Sequence, residues 1–591
     1  MITKNKVSES LLYVSLLTFI SFVVYILYIN QEVFFTAQDR SEFLPGEPFL
    51  NTLLSHPFGL MQYVGGWFTQ FFYHPALGAS IIGAIWALIF FVGIKAFRLQ
   101  GAATALMLLP VAFLLTSIVD LGYWIYVFTI RGYWFSQSIG YLAMLLLLWI
   151  ARCTPRKWHI AWYGFGVCIY PVLGWFALLF VLCLILSDKL RWSEYLGIFL
   201  LFITANIWRA LLYSHLNINA VLMAGLPHIE NSSNSSEYLS IPFWSIGVLS
   251  ILVTLFGKHL AKGFVPVLCT IAGIVFTCSF MYNDKNYVNE MRMVRYSENE
   301  NWQAVLNLFT RASEPTLSMV AMKDVALMNE GGILDRSFKM GNYDTGIYNP
   351  DSIKVSFLEI ASPVVYYNYG MINEGFRLAF ECGEQSGFSP FYLRALARCA
   401  FANGETKLLE RYTTLLHKKM FYSDWQPAPV SEKIIELKNS YPDELSGIEN
   451  SYSYIVTSIS NWNETDSKLA SEQALYYSII RNDANCFWPS LRKYLKLHQG
   501  EEFPLHAQEA YIMFMDRAPE EKRMMIPVND KIYARYQEFW ESLETYVRSG
   551  INQSEIPEKM RSEYGDTYWF LSIFGRKYAK SQGLNLNNVS N

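Results

Sequence analysis

The stretch FVPVLCTIAGIVFTCSFM, Phe264 to Met281, runs without a single charge into YNDKNYVNEMRMVR, Tyr282 to Arg295, which carries five. This seam decides the fold. Up to residue 281 there are 14 Lys+Arg and 10 Asp+Glu; the remaining residues hold 33 and 40 of the 47 and 50 in the whole chain. A bilayer excludes charge at a cost of a few kcal/mol per residue at its centre, so a charge-poor half joined to a charge-rich half predicts a membrane domain followed by a domain in water. We place the first at residues 1–281 and the second at 282–591. Hydrophobic residues make up 52% of the chain and the net charge is −3, which gives no reason to expect nucleic acid as a partner. The eight cysteines include no CxxC pair, so a thiolate zinc site is not expected.

Working back from the seam, nine apolar stretches precede it: 11–29, 76–94, 102–119, 135–151, 160–170, 173–186, 196–212, 241–256 and 264–281. A full span needs about 20 residues, so several are short. Pro171 and Gly174 interrupt the run from Ile160 to Leu186, and both weaken a helix, so that run is read as two short segments. Lys4, Lys6, Lys95, Arg98, Arg152, Arg156, Lys157, Lys189, Arg191, Lys258 and Lys262 then fall on one side. Positive loops stay in the cytoplasm, which predicts a cytoplasmic N-terminus, an uncleaved signal anchor at the first span, and a C-terminal half outside the membrane. With no plant or animal targeting feature, the expected location is a bacterial inner membrane with the helical domain in the periplasm.

Beyond the seam, helical periodicity dominates. The stretch from Tyr366 to Leu416 reads as two amphipathic helices joined at Gly387–Pro390, and further units open at Trp302, Ala470 and His506. Helical hairpins in series bury their faces against one another. The predicted fold class is therefore all-α: a polytopic bundle of about nine spans, then a soluble, repeat-like helical domain similar to tetratricopeptide repeats. Between the hairpins, Gly341 to Pro350 is a turn-rich, aromatic loop suited either to a plain connection or to stacking on sugar rings. Cys382 and Cys399 are placed either to pair across a hairpin or to stay as buried thiols.

Chemistry is sought first in the outside loop, residues 30–75. It carries Glu32, Asp39, Glu42 and Glu47, then His56. Leu60, Met61, Val64, Phe68 and Phe71 recur at three- and four-residue steps, predicting an interfacial helix with Tyr63 and Trp67 at headgroup level. Carboxylates held at a membrane surface serve as a general base, bind a divalent cation, or are simply solvated. Asp120 closes the third span and Arg131 follows in an aromatic stretch. The two form an ion pair, or Arg131 holds a phosphate with its planar fork. Arg209 is a second phosphate candidate, or snorkels to the interface.

The segment Asp39-Arg-Ser-Glu42, the helix from Phe58 to Phe72 and the domain after Met281 resemble the GT-C-fold membrane glycosyltransferases. The layout also looks like uncharacterised multi-pass Bacteroidota proteins with repeat-like tails. The first loop lacks an Asp-x-Asp pair, and no WWD-type sequence follows the last span. The GT-C resemblance implies a polyprenyl-phosphate sugar as donor and a protein or glycan acceptor at the helical domain. In it, Asp39, Glu42 or Glu47 is base or metal ligand, Arg131 or Arg209 holds donor phosphate, and Asp120 and His56 join them as substrate-binding residues. The competing expectation is a non-catalytic anchor that displays a repeat surface to envelope or secretion partners.

Overall fold

The computed structural model describes residues 2–127, 131–187, 192–227, 238–257, 263–312, 315–340, 360–441, 452–462, 464–518 and 526–575. Among them there is no β-strand. The chain divides into two compact units. The first comprises Met1–Asn283 together with Ser386–Phe391 and Leu415–Trp425; the second comprises Asp284–Gln385, Tyr392–Thr414 and Gln426–Asn591.

In the first unit the helices, in order, are α1 (Ile2–Ile29), α2 (Gln31–Asp39), α3 (Glu47–Leu54), α4 (Gly59–Thr69), α5 (Pro75–Phe97), α6 (Leu108–Val119), α7 (Trp124–Val127), α8 (Tyr133–Cys153), α9 (His159–Cys168), α10 (Tyr170–Leu173), α11 (Trp175–Leu186), α12 (Trp192–Leu211), α13 (Ile218–Leu222), α14 (Ile241–Phe256) and α15 (Val265–Phe280). Among the described residues, six helical segments are long and apolar enough to cross a membrane: Glu9–Ile29, Pro75–Phe97, Gly101–Val119, Tyr133–Cys153, Trp192–Leu211 and Tyr238–Phe256.

The other three of the nine expected apolar stretches lie in shorter helices. The stretches at 160–170, 173–186 and 264–281 form helices of 10, 12 and 16 residues. At 1.5 Å per residue these reach about 15, 18 and 24 Å, short of the roughly 30 Å hydrocarbon core. The break at Pro171 and Gly174 is real. Gly174 takes φ +55°, a β-carbon there would lie 2.3 Å from the Ala224 carbonyl oxygen, and α9 and α11 pack against one another. Only glycine fits a positive φ at that distance from another backbone.

The loop between α1 and α5 is ordered against the bundle. Phe58 is buried in the left-handed conformation (φ +72°), and its N–H donates to the Pro171 carbonyl at 2.8 Å. The predicted interfacial helix is α4, continued by a 3-10 turn from Gln70 to Tyr73. It crosses the start of α8 at glycines: a β-carbon on Gly65 would sit 2.4 Å from the Gly132 carbonyl oxygen, and one on Gly132 (φ +70°) 2.1 Å from that of Gln62. This approach of two backbones fixes where Arg131, the residue before Gly132, emerges.

In the second unit, helix starts follow side-chain caps. Asn301, Thr316 and Ser467 accept from the N–H groups of Ala304, Met319 and Ala470, and Asp284 and Asp483 from those of Asn286 and Asn485. Each satisfies one orphan donor of a first turn. Consecutive helices pack on their neighbours: Lys285–Glu298, Trp302–Phe309 and Leu317–Glu330 in one run, and Tyr452–Asn461, Lys468–Arg481 and Ala484–Leu497 in another. The Arg394 guanidinium is buried on the Glu298 carboxylate through two hydrogen bonds, at 2.7 and 2.8 Å. Cys382 and Cys399 are both buried and do not form a disulfide. The loop from Gly341 to Pro350 lies outside the described residues.

Candidate functional site

Charge gathers at one end of the first unit, where α1 and α6 finish and α8 begins. Asp39 is the last residue of α2 and is buried; Glu42 follows in the turn before α3. Glu42 accepts a hydrogen bond from Arg131 Nε at 2.9 Å, and Arg131 Nη2 lies 2.7 Å away in the same ion pair. Both nitrogens approach the same oxygen, Oε2. The Glu42 side chain is 12% exposed and that of Arg131 36%. The Arg131 guanidinium also lies 5.5 Å from the Phe49 ring centre.

The third charge of the cluster comes from far along the chain. Lys419, almost fully buried, donates from Nζ to the Phe43 carbonyl oxygen at 3.0 Å. Burial drives its amine down from an ordinary 10.5 to about 7, against the opposing fields of Glu42 and Asp39. Without those two carboxylates the drop would be greater. Tyr422 donates toward Gln38 Oε1 (3.2 Å) and Asp39 Oδ1 (3.4 Å), and Gln38 Nε2 donates to Gln70 Oε1 at 3.4 Å. Arg40 stacks over the Phe391 ring, 3.5 Å from its centre. Arg40, Ser41, Glu42, Arg131, Tyr133 and Ser386 share the wall of a cavity of about 40 Å³, room for a water or two.

The structure thus brings together Asp39, Glu42 and Arg131, and sets the other sequence candidates apart. Asp120 is not the partner of Arg131. Its carboxylate is 2% exposed at the end of α6 and has no hydrogen-bond partner among the described residues. The expected Asp120–Arg131 ion pair is corrected because Glu42 lies nearer on the facing turn. Glu47 is exposed in the first turn of α3. Arg209 donates from Nε to the Leu216 carbonyl oxygen at 3.2 Å, closing the end of its own helix. His56 bonds Ser55 and faces the His215 ring at 6.1 Å; burial lowers its pKa, with His215 and Arg131 adding to the effect. Among the described residues no group of three or more His, Cys, Asp or Glu stands placed to hold a metal ion. The divalent cation expected at the loop carboxylates finds two of them already facing Arg131 and Lys419.

Lys419, Tyr422 and Ser386 escaped the sequence reading. Only the aromatic run Phe421-Tyr422-Ser-Asp-Trp425 hinted at them, since it interrupts an otherwise polar stretch. Phe421, at φ +69°, stacks on Tyr73 with ring centres 5.3 Å apart.

No curated protein and no solved structure matches the chain. The model of a family of unknown function, DUF6057, matches residues 6–575, nearly the whole length, and the chain belongs to that family.

Proposed function

We propose that the protein is a GT-C-like membrane glycosyltransferase that moves a sugar from a polyprenyl-phosphate donor to an acceptor at the outer face of the bacterial inner membrane. The observation that carries the reading is the convergence of Glu42 and Arg131, with Asp39 and Lys419 beside them, on a cavity at one end of the apolar helices. In this reaction an acceptor oxygen attacks the anomeric carbon and the bond to phosphate oxygen breaks. The acceptor's proton goes to a carboxylate, and the electron pair leaves with the phosphate. Asp39 or Glu42 takes the proton; Arg131, released from Glu42, neutralises the leaving phosphate with its planar fork. The N-terminus lies in the cytoplasm, the helical domain in the periplasm, and that domain holds the protein or glycan acceptor. The 40 Å³ cavity is far below the 300–1,000 Å³ of small-ligand sites, so donor binding requires the Glu42–Arg131 pair to open.

The second reading is a membrane-anchored helical scaffold for envelope or secretion assembly. The closed ion pair favours it, because Glu42 is satisfied without any substrate. The two readings part on Asp39→Ala and Glu42→Ala at constant protein level. A transferase loses one envelope glycan in at least one variant, whereas a scaffold keeps the glycan profile of the wild type in both.

A further inference from the structure

Helix α8 carries Arg131 and the charge cluster at its start; its other end, 21 residues on, lies about 30 Å away. That distance matches the hydrophobic thickness of a bilayer. At that far end an open cavity of about 490 Å³ is walled by Leu147, Pro155, Trp158, Ala161, Trp162 and Phe165. Its polar atoms are turned inward: Trp162 Nε1 donates to Thr154 Oγ1 at 3.0 Å, and Thr154 Oγ1 donates to the Ala151 carbonyl at 2.6 Å. What faces the opening is hydrocarbon and ring, with Trp158 56% and Phe165 43% exposed.

The rim is cationic. Lys157 is exposed beside Trp158, and Arg156 reaches back to the buried Glu194 at 2.9 Å. Arg152 donates to the Ala96 carbonyl at the end of α5, while Arg98 donates to the Arg152 carbonyl at the end of α8. Each arginine thus closes the other helix, which pins two cations at this level. With Lys95, these turns carry five basic residues, and among the described residues Glu194 supplies the carboxylate that faces them.

We propose that this groove seats an acyl chain of an anionic phospholipid, with Lys157 and its arginine neighbours holding the phosphate of the headgroup. An apolar trough beside a cationic rim is complementary to such a lipid at both ends. An interfacial tryptophan lies at the level where headgroup and chain meet. The site is separate from the proposed transfer chemistry, a membrane thickness away.

The test uses the full-length protein, purified in detergent, stripped of lipid and offered equal amounts of phosphatidylglycerol and phosphatidylcholine, with bound lipid read by native mass spectrometry. Wild type retains phosphatidylglycerol in preference. Lys157→Gln lowers that preference about fivefold, the weight of one cation at an anionic surface. Ala161→Trp, which fills the groove, abolishes it. Thermal melting of each variant confirms that it is folded. Equal retention of the two lipids by wild type overturns the proposal, as does an unchanged preference in folded Lys157→Gln and Ala161→Trp.

Discussion

Replacing Lys419 by methionine keeps the bulk of the side chain and removes the buried amine. In the unfolded chain that amine holds its proton up to about pH 10.5; in the folded protein it begins to lose it near 7. Across this window the unfolded state binds more protons, so folding stability rises with pH. The whole shift corresponds to roughly 5 kcal/mol of penalty, fully present below pH 7. Between pH 7 and 9 about 2 kcal/mol of it is relieved, below the range where tyrosines titrate. Lys419→Met carries no such term. The assay is the unfolding free energy of wild type and Lys419→Met, purified in detergent, at pH 7 and 9. The stability of wild type relative to the variant is expected to rise by about 2 kcal/mol over that interval. A difference that stays constant with pH would refute the argument that Lys419 is desolvated beside Asp39 and Glu42.

Glu42→Gln removes one of the fields that sustain the Lys419 charge, so the pH-linked rise should begin below pH 7 in the same assay; its direct cost through the half-exposed Arg131 is expected to stay within about 1 kcal/mol. Arg394→Met strands the buried Glu298 carboxylate and should cost about 3 kcal/mol in unfolding measurements, the low end for a broken buried pair because Arg398 stands 3.8 Å from the same carboxylate. Gly132→Ala forces a β-carbon to 2.1 Å from the Gln62 carbonyl oxygen, and a lower melting temperature together with loss of the Glu42–Arg131 geometry is expected. Thiol titration after denaturation without reductant should count all eight cysteines, with Cys382 and Cys399 reacting only once the protein is unfolded.

The features legible in the sequence are those with local causes. The charge step after Met281, the helix-breaking pair Pro171 and Gly174, and the three- and four-residue spacing from Leu60 to Phe71 each act within one or two helical turns. Each reappears as a boundary or element of the structure. The short apolar stretches at 160–170, 173–186 and 264–281 reappear, to within two residues at each end, as α9, α11 and α15. At the candidate site, Asp39 and Glu42 were found because the loop between the first two apolar stretches gathers carboxylates in an otherwise charge-poor half. Lys419 was not, since its partners lie 376 residues away and nothing around it marks a buried lysine. Arg131 was found but given the wrong partner: Asp120 is close in sequence, whereas the glycine crossing of α4 and α8 turns Arg131 toward Glu42.

The most direct measurement of the proposed reaction is the pool of polyprenyl-linked sugars in cells of the source organism lacking this protein, quantified by mass spectrometry. The account predicts that one lipid-linked donor accumulates while one envelope glycan disappears, both reversed by the wild-type gene and not by a variant carrying Asp39→Asn and Glu42→Gln. An unchanged lipid-linked pool with an intact glycan profile would contradict it.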